Sequence, residues 1–468
     1  MHNSHIFDKT VLREYDIRGV IDQTLNQNDA YVLGQLLGLI VLDKHGTKVC
    51  VGFDGRESSP FLCEKLSDGF TSVGIDVINI GCIPTPLLYF SSFFFNADAG
   101  VVVTGSHNPS KYNGFKISLN NKPFFGEDIK NLGVISKNYS YIKKSGNKIY
   151  KNISNKYIQR ILKDFNGNKK LRVVWDPANG SGGKIISDLV KFLPGEHYVI
   201  NSDIDGTFPN HHPDPTKNEN LKQIIIEIQE KKADFGFAFD GDGDRLVVVD
   251  SNGNALLGDQ LLLILAESVL QDHPGGTIIA DVKSSQILFD KIQILGGIPI
   301  MYKTGHSNIK KKIHETGAVL AGEMSGHVFF ADKYYGFDDA IYAATRFLSI
   351  FSSKTQNLNE IISKLPKIFN TPEIRFFCND SEKFEVISNI RSRLISSEYK
   401  VNDIDGLRVT TPSGWWLLRA SNTEPALVAR CEADTLEHLN QMVSILSYEL
   451  SLNNIKLPVS FQRFSNYI

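Results

Sequence analysis

The chain has 468 residues, a formal net charge of −2, 42% hydrophobic residues and 22% charged residues. A chain of this length should form several domains with sizeable cores, and its near-neutral charge gives no indication of a nucleic-acid or acidic-lipid partner. The most apolar stretch, residues 87–103, is interrupted by Asn96 and Asp98, and residues 1–10 lack the apolar core of a signal peptide. We therefore expect neither a bilayer-spanning segment nor a secretion signal.

The cysteines are few, odd in number and scattered. They contain no Cys-x-x-Cys pair, and this pattern predicts buried, reduced thiols in a cytosolic protein. We therefore expect a cytoplasmic location. The five positions are Cys50, Cys63, Cys82, Cys378 and Cys431.

The first segment of interest is Glu-Tyr-Asp-Ile-Arg-Gly at residues 14–19. An arginine beside a glycine is typical of a surface loop. The residues alone therefore assign no role to Tyr15 or Arg18.

One pattern then occurs three times along the chain. Strand–helix alternation predicts mostly parallel sheets with helices on their faces, and ligands bind beyond the carboxyl ends of such strands. We therefore expect three similar mixed α/β domains whose strand ends face a central cleft. The first strands are predicted at 49–53, 171–175 and 277–280, the second at 77–80, 198–201 and 298–302, and the third at 101–103, 235–239 and 318–320.

Polar segments at 138–151, 250–254 and 370–372 suggest the domain boundaries. After the last of them the pattern changes to antiparallel strands around turns at 404–409 and 414–419, followed by an amphipathic helix at 436–450. This end of the chain is predicted to be a smaller C-terminal α+β domain. The four predicted domains are residues 1–150, 151–254, 255–370 and 371–468.

The third strand of the first repeat ends in Thr-Gly-Ser-His-Asn-Pro, residues 104–109. The strand end and the Asn-Pro turn signal place Ser106 on a tight loop that can present its hydroxyl. A plain turn, in which Ser106 and Asn108 bond to their own backbone, fits this stretch equally well.

The corresponding strand of the second repeat runs into Asp-Gly-Asp-Gly-Asp-Arg, residues 240–245. Three carboxylates at alternate positions repel one another without a cation, and oxygen ligands suit Mg²⁺ or Ca²⁺. An EF-hand loop does not fit, because Arg245 stands where that loop needs Gly and Ser251 where it needs Glu. A solvated acidic turn is the remaining alternative.

Two further motifs follow in order, Gly-Glu-Met-Ser-Gly-His at 322–327 and Arg-Ala-Ser-Asn-Thr-Glu-Pro at 419–425. With these four motifs the chain, from Tyr15 to about Ala433, resembles the α-D-phosphohexomutases, and most of all their bacterial phosphomannomutase/phosphoglucomutase branch. Each motif alone is moderately specific, whereas the four together are highly specific.

The resemblance implies a site for phosphoryl transfer. Ser106 is expected to carry the phosphate as phosphoserine. Asp240, Asp242 and Asp244, together with an oxygen on Ser106, are expected to bind one Mg²⁺, which would neutralise the developing charge.

The resemblance also implies three further catalytic candidates, Lys116, His327 and Arg18, and leaves open which of them is the general base. By sequence alone Lys116 would face solvent. His327, in a glycine-bracketed loop at a strand end, is a candidate for proton transfer, and the alternative is a capped loop histidine.

Substrate contacts are implied in every domain. Glu323 and Ser325 would bind sugar hydroxyls, Lys283 a substrate phosphate, and the segment Arg419 to Thr423 would cradle a phosphate dianion. For His107 and His306 the alternative is a loop histidine bonded to its surroundings. The complete set of expected substrate contacts is Tyr15, His107, Arg245, Lys283, His306, Glu323, Ser325, Arg419, Ser421, Asn422 and Thr423.

The implied function is reversible transfer of phosphate between the 1- and 6-positions of mannose or glucose through phosphoserine and a hexose 1,6-bisphosphate, which also serves as activator. Phosphoglucosamine mutase is the runner-up, and Met324 and Asn422 argue against it. A Mg²⁺-dependent sugar phosphatase and a catalytically silent sugar-phosphate binder are the alternatives from other classes. The expected partners are hexose phosphates, with no nucleic acid and no membrane, for a monomer or weak dimer.

Two positions depart from the family pattern. Gln260 stands where Arg is common, which puts an interdomain ion pair in doubt, and Gly105 stands where relatives often have Ala, a mild change.

Overall fold

The computed structural model describes residues 2–379, 381–395, 399–421 and 425–455. The first predicted domain contains a seven-stranded sheet in the order β2-β6-β5-β3-β4-β9, with β7 paired to β6. Its elements are β1 (His2–Asn3), β2 (Ile17–Val20), α1 (Gln27–Asp43), β3 (Lys48–Phe53), α2 (Ser59–Ser72), β4 (Asp76–Cys82), α3 (Thr85–Phe95), β5 (Ala99–Val103), β6 (Tyr112–Leu119), β7 (Lys122–Pro123), α4 (Glu127–Ile135), β8 (Tyr139–Ser140) and β9 (Lys148–Tyr150).

The second predicted domain contains a four-stranded sheet in the order β11-β10-β12-β13. Two short 3₁₀ turns, Val190–Phe192 and Asn218–Leu221, accompany it. Its helices and strands are α5 (Ser154–Leu162), β10 (Leu171–Asp176), α6 (Gly183–Leu189), β11 (Gly195–Val199), α7 (Lys222–Lys231), β12 (Phe235–Phe239) and β13 (Leu246–Asp250).

The third predicted domain contains another four-stranded sheet, in the order β15-β14-β16-β17. Its elements are α8 (Gly258–Asp272), β14 (Thr277–Asp281), α9 (Gln286–Ile294), β15 (Ile298–Tyr302), α10 (His306–Thr316), β16 (Leu320–Gly322), β17 (Val328–Phe330), α11 (Ala340–Ser353), α12 (Leu358–Ser363) and β18 (Phe369–Asn370).

These three sheets share one topology, as the repeat predicts. In each, the first strand lies between the second and third in parallel, and a fourth strand returns antiparallel to the third. Each of the first three motifs therefore forms the hairpin loop between a third and a fourth strand. The carboxyl ends of the parallel strands bring these loops to one edge of each sheet.

Two predicted strands are displaced in the structure. The second strand of the second repeat lies at Gly195–Val199 instead of 198–201, because Asn201 has a left-handed backbone with φ of 49°. The third strand of the third repeat is Leu320–Gly322 instead of 318–320. Helix α10 extends to Thr316, and Gly317, with φ of 65°, turns the chain after it, so the strand begins later than predicted.

A continuous hydrophobic core joins the first three domains. Helix α11 of the third domain packs on the sheet of the second, where the ring of Phe347 lies 5.4 Å from Phe235 and 5.7 Å from Phe237. Helix α3 of the first domain joins the same cluster through Leu87 and Phe90. Burial of each such ring stabilises the fold by about 1.5–3 kcal/mol, so this core fixes the three sheets relative to one another.

The C-terminal domain is antiparallel and has its own core, as predicted. Strand β18 precedes the predicted boundary at residue 371 but pairs with this domain's sheet, in the order β18-β23-β22-β21-β20, with β19 also on β23. Its other elements are β19 (Ile374–Phe377), α13 (Lys383–Leu394), β20 (Lys400–Asn402), β21 (Leu407–Thr411), β22 (Gly414–Ala420), β23 (Ala426–Ala433) and α14 (Leu436–Ser451).

Two buried arginines of the C-terminal domain bind backbone carbonyls of the third domain. Arg408 stacks 3.8 Å from the ring centroid of Trp415 and donates to the carbonyls of Val282 and Ser284 at 2.7 and 2.6 Å. Arg430 donates to the carbonyl of Lys283 at 2.7 Å.

The interface between the third and C-terminal domains holds charged side chains although residue 260, where the family commonly has Arg, is Gln. Arg430 lies 4.0 Å from Asp259 of the third domain. The side chain of Gln260 instead accepts a hydrogen bond from the Leu257 N–H at the start of α8.

One prediction about the thiols is wrong. All five cysteines are free, but Cys82, at the end of β4, is exposed rather than buried. In the part of the chain that the structure describes, no helix combines the length and apolar character needed to cross a bilayer.

Candidate active site

Ser106 lies on the loop between β5 and β6 and is almost fully buried. Its backbone is left-handed, with φ of 47°. Its hydroxyl lies 3.1 Å from Asp240 Oδ2 of the second domain and 3.1 Å from His107 Nδ1. The loop therefore presents Ser106 to the acidic motif and not only to its own backbone.

Neighbouring groups fix one oxygen each of Asp240 and Asp242 in the second motif. Asp240 Oδ1 accepts the N–H groups of Asp244 and Arg245 at 3.1 Å. Asp242 Oδ2 accepts the hydroxyl of Thr85 at 2.6 Å and lies 3.2 Å from the hydroxyl oxygen of Thr104.

The remaining oxygens suit a metal ion. Asp242 Oδ1 is buried and has no hydrogen-bond partner among the described residues. Asp240, Asp242 and Asp244 each offer one oxygen within 4.8 Å of the others. A divalent cation that prefers oxygen ligands fits this donor set, so the acidic motif is a site that could bind a metal.

Lys116 on β6 is buried among these carboxylates rather than facing solvent. Its ammonium donates to Asp242 at 2.7 Å and makes a short contact with Asp244. Burial opposes the charge, but the two carboxylates outweigh it and hold the pKa of Lys116 well above its usual value. Burial and the neighbouring Asp244 and Asp242 in turn raise the pKa of Asp240 well above its usual range.

His327 on the third-domain loop faces the same carboxylates. Its Nε2 lies 3.2 Å from Asp244 Oδ1, and its Nδ1 lies 2.9 Å from Ser325 Oγ and 3.3 Å from Glu323 Oε2. Burial disfavours the charged ring, but Asp244 and Glu323 raise the pKa of His327 to about 9. The ring stacks on that of His306 at 5.5 Å.

Backbone contacts join the first three domains at this site. Arg245 and His327 form an isolated β-bridge, and the Leu246 N–H donates to the Gly326 carbonyl at 2.9 Å. The Thr85 N–H of the first domain donates to the Asp242 carbonyl at 2.8 Å. The motifs of the first, second and third domains therefore form one site.

The N-terminal segment also contacts the site. Arg18 donates to Asn108 Oδ1 at 2.7 Å and pairs with Asp16. The hydroxyl of Tyr15 donates to the Thr304 carbonyl at 3.0 Å. Both residues thus lie against loops of the site.

The fourth motif lies in the C-terminal domain. Arg419 is buried and pairs with Asp405 at 3.1 Å, and Ser421 is also buried. Lys283 of the third domain lies 3.5 Å from Glu373 of the C-terminal domain. Two predicted contacts, Asn422 and Thr423, lie outside the described residues.

Sequence reasoning did not assign several residues that the structure places against the site. Most of them act through other side chains or through backbone atoms, which no local pattern reveals. Only Asp54 and Arg56 carried a signal, since they follow the first strand of the repeat. The unassigned residues are Asp16, Asp54, Arg56, Thr85, Lys310, Asp338 and Asp405.

Domain families known from other proteins match the chain in order. They are described as phosphoglucomutase/phosphomannomutase alpha/beta/alpha domain I over residues 9–143, domain II over 155–253, domain III over 257–369, and the C-terminal domain over 373–446.

Full-length relatives agree with these matches. A phosphomannomutase/phosphoglucomutase of Pseudomonas syringae pv. tomato is 42% identical over 445 residues, which cover 95% of this chain and 96% of the relative. A phosphoglucomutase of Neisseria meningitidis is 41% identical over 431 residues, covering 91% of this chain and 94% of the relative.

A solved structure shows the same fold. The crystal structure of a phosphoglucomutase/phosphomannomutase family protein from Burkholderia thailandensis superposes with a TM-score of 0.91 at 38% identity, covering 97% of this chain and 100% of that chain. The resemblance inferred from the four sequence motifs is confirmed, and the chain belongs to the phosphoglucomutase/phosphomannomutase family of α-D-phosphohexomutases, a family of enzymes.

Proposed function

We propose that this enzyme is a phosphomannomutase/phosphoglucomutase, which moves phosphate between the 1- and 6-positions of mannose or glucose. The observation that carries the proposal is the approach of Ser106 Oγ to Asp240 Oδ2, at 3.1 Å, across two domains. A phosphate on Ser106 would stand among three carboxylates, a position that needs compensating positive charge. The names of relatives at 41–42% identity support the same activity.

We assign the compensating charge to Mg²⁺ held by Asp240, Asp242 and Asp244 with an oxygen on Ser106. When bound, the ion would neutralise charge that develops on the transferring phosphoryl group. The unpartnered, buried Oδ1 of Asp242 and the close grouping of the three carboxylates support this assignment.

The chain's own residues supply the other contacts. Lys116, Arg245 and Arg18 would add positive charge around the phosphoryl group, with His107 beside the serine hydroxyl. The sugar hydroxyl that attacks phosphoserine must lose a proton, and the Ser106 oxygen that leaves must gain one. Lys116 and His327 are the buried candidates for holding that proton.

Binding of the sugar falls to the third and fourth domains. Glu323 would accept hydrogen bonds from ring hydroxyls, and Ser325 would donate to them. His306 lies nearby against His327, and Tyr15 bonds to the loop before His306 through the Thr304 carbonyl. The cations Lys283 and Arg419 would hold the distant phosphate. We propose that Ser421, Asn422 and Thr423 complete that phosphate site.

The cycle then needs one reorientation. Phosphoserine phosphorylates the free position, the hexose 1,6-bisphosphate turns over in the cleft, and the other phosphate returns to Ser106. Added hexose 1,6-bisphosphate would act as an activator, because it can phosphorylate an unmodified Ser106.

The decisive assay supplies purified protein with Mg²⁺, catalytic hexose 1,6-bisphosphate, and mannose, glucose or glucosamine 1-phosphate in turn. We expect comparable conversion of mannose and glucose 1-phosphates to 6-phosphates, since Glu323 and Ser325 need not grip the C2 substituent that distinguishes the two sugars. Preference for glucosamine 1-phosphate would make the protein a phosphoglucosamine mutase. Release of free phosphate without interconversion would make it a phosphatase. Absence of both reactions would make it a catalytically silent sugar-phosphate binder.

We further propose a cytoplasmic monomer or weak dimer. Five free thiols are compatible with a reducing compartment. Light scattering over a concentration series tests the oligomeric state.

A further inference from the structure

Arg56 lies beneath the loop that carries Ser106 and is 1% exposed. A guanidinium has five N–H donors, and in Arg56 all five are used. Nε donates to Asp54 at 3.1 Å. The other four donate to backbone carbonyls of the serine loop, namely Ser106 at 2.8 Å, Asn108 at 2.6 Å, Pro109 at 2.7 Å and Tyr112 at 3.1 Å.

Asp54 completes this support from the end of β3. Its Oδ2 accepts the Gly105 N–H at 3.0 Å and the Thr104 hydroxyl at 2.9 Å, and its Oδ1 accepts the Ser59 hydroxyl at 2.5 Å. Asp54 and Arg56 therefore contact both the N–H groups and the carbonyl groups of the serine-loop backbone.

The loop needs such support because Ser106 adopts a left-handed backbone with φ of 47°. Residues with a Cβ rarely adopt this conformation, and it persists only where the surroundings impose it. Packing is also tight at Gly105, where an added Cβ would lie 2.4 Å from Arg56 Nε and 2.7 Å from the Tyr112 carbonyl. The presence of Gly at this position is therefore more than the mild change expected from sequence.

The same guanidinium contacts the second domain. The ring of Phe208 lies 5.1 Å from Arg56 Cζ, and a Cβ on Gly206 would lie 2.4 Å from Arg56 Cα. A Cβ on Gly241, between two of the acidic ligands, would lie 2.7 Å from the Ser106 carbonyl that Arg56 binds. Arg56 therefore stands where the serine loop meets the acidic loop.

From this geometry we infer that Arg56, held by Asp54, is a positioning residue that sets the Ser106 hydroxyl for phosphoryl transfer. It acts through the backbone of the serine loop and touches no substrate atom. Lysine cannot replace it, because an ammonium has three donors and cannot bind four carbonyls and a carboxylate at once. The inference rests on the proposed function.

The alternative is that Arg56 is a buried ion pair that only stabilises the fold. Arg346 offers the control, since it is also a buried arginine paired with an aspartate. It donates to Asp332 at 3.0 and 2.7 Å and, within the described part of the chain, contacts no residue of the serine loop. If both arginines only stabilise the fold, Arg56→Lys and Arg346→Lys should behave alike.

The test compares wild type, Arg56→Lys and Arg346→Lys as folded, full-length protein with Mg²⁺. In Arg56→Lys we expect kcat to fall about 100-fold, the scale of a misplacement of about 1 Å, with KM for glucose 1-phosphate within about twofold. Rapid-quench transfer from phosphorylated Ser106 to glucose 1-phosphate should slow equally. Arg346→Lys should lower thermal stability and leave kcat of the folded protein unchanged.

A second readout does not depend on activity. Hydrogen exchange of the amides at 104–112 should speed up in Arg56→Lys, while that of β10 in the second domain stays protected. If Arg56→Lys does not fold, Asp54→Asn, of the same size as the native residue, must show the same loss of kcat and the same exchange.

Wild-type kcat and unchanged exchange in folded Arg56→Lys would overturn the inference, as would a raised KM with normal kcat. Absence of mutase activity in wild type would overturn the proposed function instead, so the two failures are distinguishable.

Discussion

The backbone N–H of Thr304 donates a hydrogen bond to Asp405 Oδ2 at 3.0 Å. Thr304 directly precedes the loop glycine and His306 of the third domain, whereas Asp405 belongs to the C-terminal domain. The same carboxylate pairs with Arg419 at 3.1 Å. Asp405 therefore links the predicted phosphate-binding segment, residues 419–423, to the predicted sugar site. We call this segment the phosphate clamp. Movement of the C-terminal domain would have to break the hydrogen bond between Asp405 and Thr304.

This tie bears on the role of Arg419. Replacement by Ala removes a charge-assisted phosphate contact worth about 1.5–3 kcal/mol, or roughly 10- to 100-fold in KM. Because one clamp would serve both orientations of the sugar, KM should rise for 1- and 6-phosphates alike, and more hexose 1,6-bisphosphate should escape into the medium.

Kinetics in both directions, with bisphosphate measured, test this prediction. Arg391→Ala is the control, since Arg391 forms an exposed ion pair with Asp403 in the same domain. A defect in one direction only would show that the clamp does not serve both orientations.

We predict a hinge near Thr371 and Pro372 for the movement of the C-terminal domain that opens and closes the clamp.

Ser106→Ala should abolish transfer, with a loss of roughly 10³-fold or more, as is usual when a nucleophile is removed. The protein should stay folded, and peptide mass spectrometry should find phosphate on Ser106 of the wild type. Ser67→Ala, which removes a buried hydroxyl within α2, should keep full activity. Phosphate on a different serine in active enzyme would refute the assignment.

Asp242→Asn should remove activity together with Mg²⁺ dependence. The substitution keeps the size of the side chain but takes one charged ligand from a set of three. In wild type, Mg²⁺ should raise the melting temperature, because an ion that binds only the folded protein stabilises it. The variant should lose most of this rise, and Asp188→Asn, at a half-buried position on α6, should keep it. Full activity of EDTA-treated wild type would exclude the metal role.

Asp339 at the start of α11 predicts a pH-dependent stability. Burial raises its pKa from 3.8 to about 6, although the Tyr342 N–H and the hydroxyls of Tyr157 and Tyr334 favour the charged form. The folded protein therefore binds an extra proton between these values. This contribution to the free energy of unfolding is full below about pH 3.8 and is lost as the pH rises through about 6.

Asp339→Asn cannot titrate, so it provides the reference. The free energy of unfolding of wild type minus that of the variant should fall by about 2 kcal/mol between roughly pH 4 and pH 6.5. Urea unfolding at several pH values measures this difference. A constant difference would mean that Asp339 titrates alike in the folded and unfolded chain.

The sequence by itself determined the repeated architecture. A strand can be recognised from a short apolar run because its hydrogen bonds and its burial repeat along a local stretch of chain. Parallel pairing then requires that the segments after 103, 239 and 322 lie at corresponding sheet edges. The four motifs identified the family for the same reason, since each is contiguous in the chain.

Only the tertiary structure decided which charges meet. Lys116 is a solvent-facing lysine by local pattern, but the return of β6 beside β5 buries it between Asp242 and Asp244, more than a hundred residues away. Arg56 supports the serine loop through carbonyl groups, which every residue has and no sequence pattern marks. Contacts made across domains depend on how separately folded surfaces pack, and that packing is set by the shared core rather than by any local run of residues.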